Sequence, residues 1–284
     1  MFGLNAYNLS RVPAFLIGIA ALSFLFANTA AGAQTFEDKI KSGKPIIVAT
    51  EDDYRPFEFI QGGKPVGLDN ELFRLLKSQA KFKIQQQILP WTGLLAGVST
   101  GKFDAAVTGA LVNKERAKTF DFTMPIAENK SYYLQRKNDN SIKGIKDLSG
   151  KTVGVQAGSV LLARLPELAA MLARTGGKLG KIVQYTSYPE AYQDLATGRI
   201  DVVVNGYINL LAVISERPGV FEIGQPVSGA SYVAWVVKKG NTGMLDFLNG
   251  FLKKTRASGE LAKLQQKWLK ASFTNLPEHV TPAF

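Results

Sequence analysis

Glu51-Asp52-Asp53-Tyr54, Trp91 and Arg116 are the side chains of this 284-residue sequence best equipped to act on a small polar molecule. Three consecutive carboxylates on one extended segment cannot converge on a metal ion without partners, and no loop has calcium-binding spacing. Asp52 and Asp53 also suit a turn. A planar guanidinium such as that of Arg116 offers paired donors that match a carboxylate. Aromatic faces such as Tyr54 and Trp91 can wall a ligand and favour a cationic group. Catalysis lacks its parts. There is no cysteine, and the single histidine, His279, lies in the terminal stretch NLPEHVTPAF, which removes Ser-His-Asp chemistry and histidine metal sites. AGVSTGKF imitates a phosphate loop, but Phe103 stands where Ser or Thr must hold magnesium, and the stretch precedes a strand rather than following one. The inventory points to binding, with no cofactor and no metal.

Such residues need a scaffold, and a repeat supplies its plan. TGKFDAAVTG (100–109) and TGRIDVVVNG (197–206) share Thr, Gly, Asp, Val and Gly in register. Each reads as a helix end closed by Gly101 or Gly198, then a short apolar strand buried on both faces in a parallel sheet. Two such units predict two α/β lobes on one plan, with ligands outside the strands' carboxyl ends, here Thr108-Gly109 and Asn205-Gly206. Around them, PIIVAT, FKIQQQI, KTVGVQ and KIVQY read as further strands, and FEFIQGGKPVG as a hairpin. Helices are expected from Asp69 as N-cap, over WTGLLAGVST, from Ser159, from Pro189 and over YINLLAVISERP. Strands SYYLQRK (131–137) and SYVAWVVKK (231–239) bracket the second lobe and predict a two-strand hinge that closes over a small ligand. The expected division is a signal peptide at 1–33, lobe one at 34–135, lobe two at 136–226, and a return to lobe one at 227–284.

The N-terminus sets the address. Arg11 is the only charge before Glu37, an apolar run spans Pro13 to Ala27, and Ala31-Gly32-Ala33 fits a cleavage site. The run is shorter than the ~20 residues a membrane span requires. A cysteine-free exported chain has neither disulfides nor a bacterial lipid anchor, which favours a Gram-negative-like periplasm. The formal net charge of +11 is spread along the chain rather than massed, so nucleic acid is not an expected partner. A monomer is expected.

Four segments, in order, carry a resemblance: VATEDDYRPFEF, GLDNELFRLLK, GKFDAAVTGALVNKERAKTFDFTMP and LSGKTVGVQAGS. Together they resemble the extracellular solute-binding proteins, family 3, the periplasmic receptors that feed polar amino acids to ABC importers. The resemblance implies a type II two-lobe binding protein and an ABC permease as partner. It implies that Arg116 forks onto the ligand's carboxylate, that Gly109 and Leu111 offer main-chain N–H groups, and that Ser159 and Val160 do so from a helix N-terminus of lobe two. Leu111 and Val160 replace hydroxyl residues common in the family, while Thr108 and Ser159 keep hydroxyls nearby. Tyr54 and Trp91 would sandwich the ligand's side chain, and Glu51 matches an acidic position facing it.

One position departs from the pattern. The family's usual ammonium-binding Asp falls on Gly206. Glu51, Asp52 or Asp53 could take over the ammonium, Asn205 and Tyr207 could bind a different group, or the solute is no ordinary α-amino acid. A buried unpaired ammonium would be costly. Two alternatives share the resemblance: a sensor that presents its closed form to a membrane receptor, and a cyclohexadienyl dehydratase. Leu161 stands where the dehydratases carry their catalytic Glu, which argues against the second.

Overall fold

The computed structural model describes residues 34–282 and 284; the signal segment expected at 1–33 lies outside them. Among the described residues thirteen strands are interspersed with helices. They are β1 Ile46–Glu51, β2 Asp53–Tyr54, β3 Glu58–Gln61, β4 Lys64–Val66, β5 Ile84–Leu89, β6 Ala105–Ala106, β7 Phe120–Phe122, β8 Ala127–Arg136, β9 Val153–Gln156, β10 Ile182–Tyr185, β11 Val202–Gly206, β12 Phe221–Val233 and β13 Val236–Lys238. Lobe one is a five-stranded sheet ordered β5-β1-β6-β13-β7, with the hairpin sheet β2-β3-β4 beside it. Lobe two is ordered β10-β9-β11-β8-β12.

The two copies of the repeat become β6 and β11, the third strand of each five-stranded sheet. Gly101 and Gly198 take positive φ values of 81° and 77° as the preceding helices end, a conformation that costs glycine little. One expectation is corrected. Neither sheet is purely parallel: β6 runs parallel to β1 but antiparallel to β13, and β11 runs parallel to β9 but antiparallel to β8. The cause is the double crossing, because a strand that leaves or re-enters a lobe beside the central strand must run against it.

The crossing strands β8 and β12 pair antiparallel from Ala127↔Val233 to Arg136↔Phe221, with two register shifts. The cut drawn from the sequence at 135/136 falls at the far end of β8, where Ser131–Leu134 already ladder with β11. SYVAWVVKK does not form one strand. It breaks at Ala234-Trp235, with its first part in β12 and its last in β13 of lobe one.

Burial explains the elements. β9 and β11 are buried along their whole length, as an apolar run between helices requires. The helix Leu68–Gln79 turns Leu68, Leu72, Phe73 and Leu76 inward. Asp69 is not its N-cap: Gly67 holds that position, and Asp69 is buried in the first turn with its Oδ1 accepting from Trp235 Nε1 at 2.6 Å. The helices Thr242–Ala257 and Glu260–Leu269 pack Leu248, Phe251, Leu252, Leu261 and Leu264 back into the core. No helix among the described residues is long and apolar enough to cross a membrane.

Candidate functional site

The carboxyl ends of β1, β6 and β9 open onto one cleft, and Arg116 lies at its centre. The helix Lys114–Thr119 starts at Asn113, whose Oδ1 accepts from Arg116 N at 2.8 Å. The guanidinium folds back from there. Its Nη1 donates to Leu111 O of lobe one at 2.8 Å and its Nη2 to Gly158 O of lobe two at 3.2 Å. Its Cζ stands 5.0 Å from the centre of a Trp91 ring, a cation–π arrangement. Burial pulls the Arg116 pKa down to about 10, against the upward influence of Tyr54 and Glu51. The group stays cationic at neutral pH.

Glu51 ends β1 and is only 4% exposed. Its Oε1 accepts from Gln156 Nε2, across the cleft at the end of β9, at 2.8 Å. Burial lifts its pKa to about 8, with Asp52 and Asp53 adding to the rise and Gln156 and Arg116 opposing it. At neutral pH the carboxyl is therefore mostly a neutral acid. Glu51, Tyr54, Trp91, Gly109, Leu111, Arg116, Gln156, Ser159, Val160 and Leu161 enclose a cavity of about 20 Å³. That is room for a single water, so a larger guest must part the lobes or displace the Arg116 contacts.

Nine of the eleven expected residues thus border this cavity or its neighbour; Thr108 and Gly206 do not, and two of the nine, Gly109 and Ser159, do not offer the groups expected. Thr108 is not brought to the cleft: its Oγ1 donates to Glu58, inside lobe one. The Gly109 N–H also points there, to Glu58 Oε1 and Oε2 at 3.0 and 3.2 Å, so it is not a free donor for a carboxylate. The Ser159 hydroxyl serves its own chain. It donates to Gln156 O at 2.7 Å and accepts from Leu162 N at 3.1 Å, capping a four-residue helix Val160–Ala163.

Gly206 explains itself by packing. A Cβ there would run into the Asn129 amide and stand 2.7 Å from Asn209 Oδ1. Asn129 Nδ2 donates to Asn209 Oδ1 at 3.0 Å, and Asn209 Nδ2 reaches Arg55 O of lobe one at 2.7 Å. The volume an aspartate would need is filled by a satisfied amide network. Asn205 donates to Tyr192 OH at 2.8 Å and accepts from Tyr54 OH at 3.4 Å, and belongs to a second cavity.

That second cavity, about 210 Å³, lies on the other side of Tyr54. Tyr188 and Tyr192, stacked with centroids 5.8 Å apart, wall it, with Asp53, Arg55, Asn205, Glu216 and Arg217 around them. Arg55 Nη1 meets Glu216 at 3.1 Å and spans the lobes. Sequence reasoning missed Gln156, Tyr188, Tyr192, Asn129 and Asn209. Gln156 ends a parallel strand, and Tyr188 and Tyr192 sit i,i+4 on the helix after β10, so the rule about strand ends could have found them.

Comparison with known proteins decides the kinship. The family model of bacterial extracellular solute-binding proteins, family 3, matches residues 46–271. The chain belongs to that family. This solute-binding protein is 29% identical over 259 residues to the arginine-binding extracellular protein ArtP of Bacillus subtilis, covering 89% of its own chain and 97% of ArtP. An ancestral arginine-binding protein bound to arginine matches it with a TM-score of 0.71 at 29% identity, over 79% of this chain and 97% of that one. The ancestral amino acid-binding protein AncCDT-1, a precursor of cyclohexadienyl dehydratase, matches with a TM-score of 0.71 at 27% identity, over 82% and 98%. These relatives are binding proteins. The type II two-lobe fold, two sheets joined by the β8–β12 crossing, is the family's architecture in this chain.

Proposed function

We propose that this protein captures a small carboxylate-bearing solute, an amino acid or amino-acid derivative, between its lobes in the periplasm and delivers it to the permease of an ABC importer. The observation that carries the reading is Arg116: a cation held on the Trp91 face, with its two terminal nitrogens spent on one carbonyl from each lobe. A carboxylate in their place would give charge-assisted, paired hydrogen bonds in a buried setting. Glu51 is the carboxyl within this cavity and serves as partner for the solute's cationic group. Tyr54 and Trp91 are the walls, Leu111, Ser159 and Val160 complete the enclosure, and Thr108 takes no part. Closure would move the segment between the crossings at Ala127 and Val233 as one body.

Leu161 lines the cavity with an apolar side chain where a dehydratase would need its acid, which supports binding over lysis. A thermal-shift screen against amino acids, betaines, opines and small organic acids tests the reading. A carboxylate ligand should raise the melting temperature of the wild type, and Arg116→Ala should abolish that rise. Stabilisation that survives the substitution would remove Arg116 from its role.

A further inference from the structure

Beneath the cleft lies a pair of carboxyls that the solute-binding reading does not use. Glu58 on β3 and Asp69 in the first turn of the helix Leu68–Gln79 are both 0% exposed, and the Asp69 N–H donates to the carbonyl of Phe57, the residue before Glu58, at 2.8 Å, which brings the two carboxyls together. Among the described residues neither carboxyl forms an ion pair; the groups facing Glu58 are Asp69, Glu51, Thr108 and, from β2, Tyr54. Asp69 Oδ2 is buried and has no N–H or hydroxyl donor among the described residues. Two adjacent buried carboxylates cannot both be ionised at modest cost, and a proton on one gives the other the donor it lacks.

Each carboxyl holds a different part of the machinery. Glu58 accepts from Thr108 Oγ1 and from the Gly109 N–H, at the start of the loop that leads through Leu111 to Arg116. A Cβ on Gly109 would stand 2.8 Å from the Tyr54 ring, so the loop is drawn in until backbone and aromatic wall touch. Asp69 accepts from Trp235, the fully buried residue between β12 and β13 where the chain re-enters lobe one. We propose that Glu58 and Asp69 share one proton and act as a positioning clamp, tying the ligand-cleft loop to the return crossing of the hinge. The clamp's link to solute capture rests on the function proposed above, but the test needs no solute.

Infrared spectra at pH 7, taken in a Glu51→Gln background to remove the other protonated acid, should show a protonated-carboxyl stretch that disappears on adding Glu58→Gln. In amide-resolved NMR, Glu58→Ala should shift both the Gly109 amide and the Trp235 indole resonances. Glu58→Gln should return both toward their wild-type positions, because its amide donates to Asp69 while its oxygen accepts from Gly109. Asp69→Asn, donating in the opposite sense, provides a second arm should Glu58→Gln fail to fold. Absence of a protonated carboxyl at pH 7, or reporters that move independently and are not rescued by the amide variants, would overturn the proposal. The thermal-shift screen stands or falls separately.

Discussion

At Glu51 a carboxyl ends a buried strand and faces another lobe's amide rather than water, and its proton affinity records that environment. Raised from 4.5 to about 8, it binds its proton more tightly in the folded than in the unfolded chain. Folding stability therefore falls as pH rises through that window. Glu58, also raised by burial, adds to the slope in the same direction. Glu51→Gln should flatten part of it, measured as the melting temperature from pH 5 to 9. A cationic group seated beside Glu51 would draw the proton off, so binding of a cationic solute should strengthen as pH rises toward 8 and should release a proton, visible by calorimetry in buffers of different ionisation enthalpy. Because Asn129 and Asn209 occupy the space of its missing side chain, Gly206→Ala should destabilise by about 1–3 kcal/mol in chemical denaturation. Gly206 was legible in the sequence as a departure; its reason was not, since Asn129 lies on another strand with nothing local to mark it.

The elements were more legible than their pairings. The twin phrases ending at Gly109 and Gly206 announced two equivalent strands, and both occupy the middle of a sheet. Helix and strand positions follow from apolar period and from glycines, which are local. What the period could not express was direction: β8 and β13 insert antiparallel beside β11 and β6, and this depends on where the chain returns. Asp69 misled for a related reason. An acidic residue at a helix start is normally a cap, and only the tertiary partner Trp235 turns it inward. β8 carries the crossing and donates Leu134 to the core at 0% exposure. Leu134→Ala should cost about 2–5 kcal/mol, read from the denaturant midpoint at unchanged slope.

Across the whole molecule the lobes meet through a few polar links: Gln156 to Glu51, Arg116 to Gly158, Tyr54 to Asn205, Asn209 to Arg55 and Arg55 to Glu216. Closure driven by a ligand is a shift between populations, so links that need no solute set its starting point. Asn209→Ala removes a buried link worth about 0.5–1.5 kcal/mol. It should shift the free protein toward an open form with a larger radius of gyration in small-angle scattering, and weaken solute affinity several-fold. The cavity around Arg116 draws on the ends of β1 and β9, on Tyr54 and Trp91, and on the segments 109–116 and 159–161, but on no residue of β8 or β12. The lining of the cavity and the strands of the crossing are thus written in separate stretches of the gene. A library confined to the cavity stretches would leave the crossing strands intact, and variants that keep the lobe-to-lobe links of Glu51, Tyr54, Arg116 and Gln156 would also keep the starting point of closure.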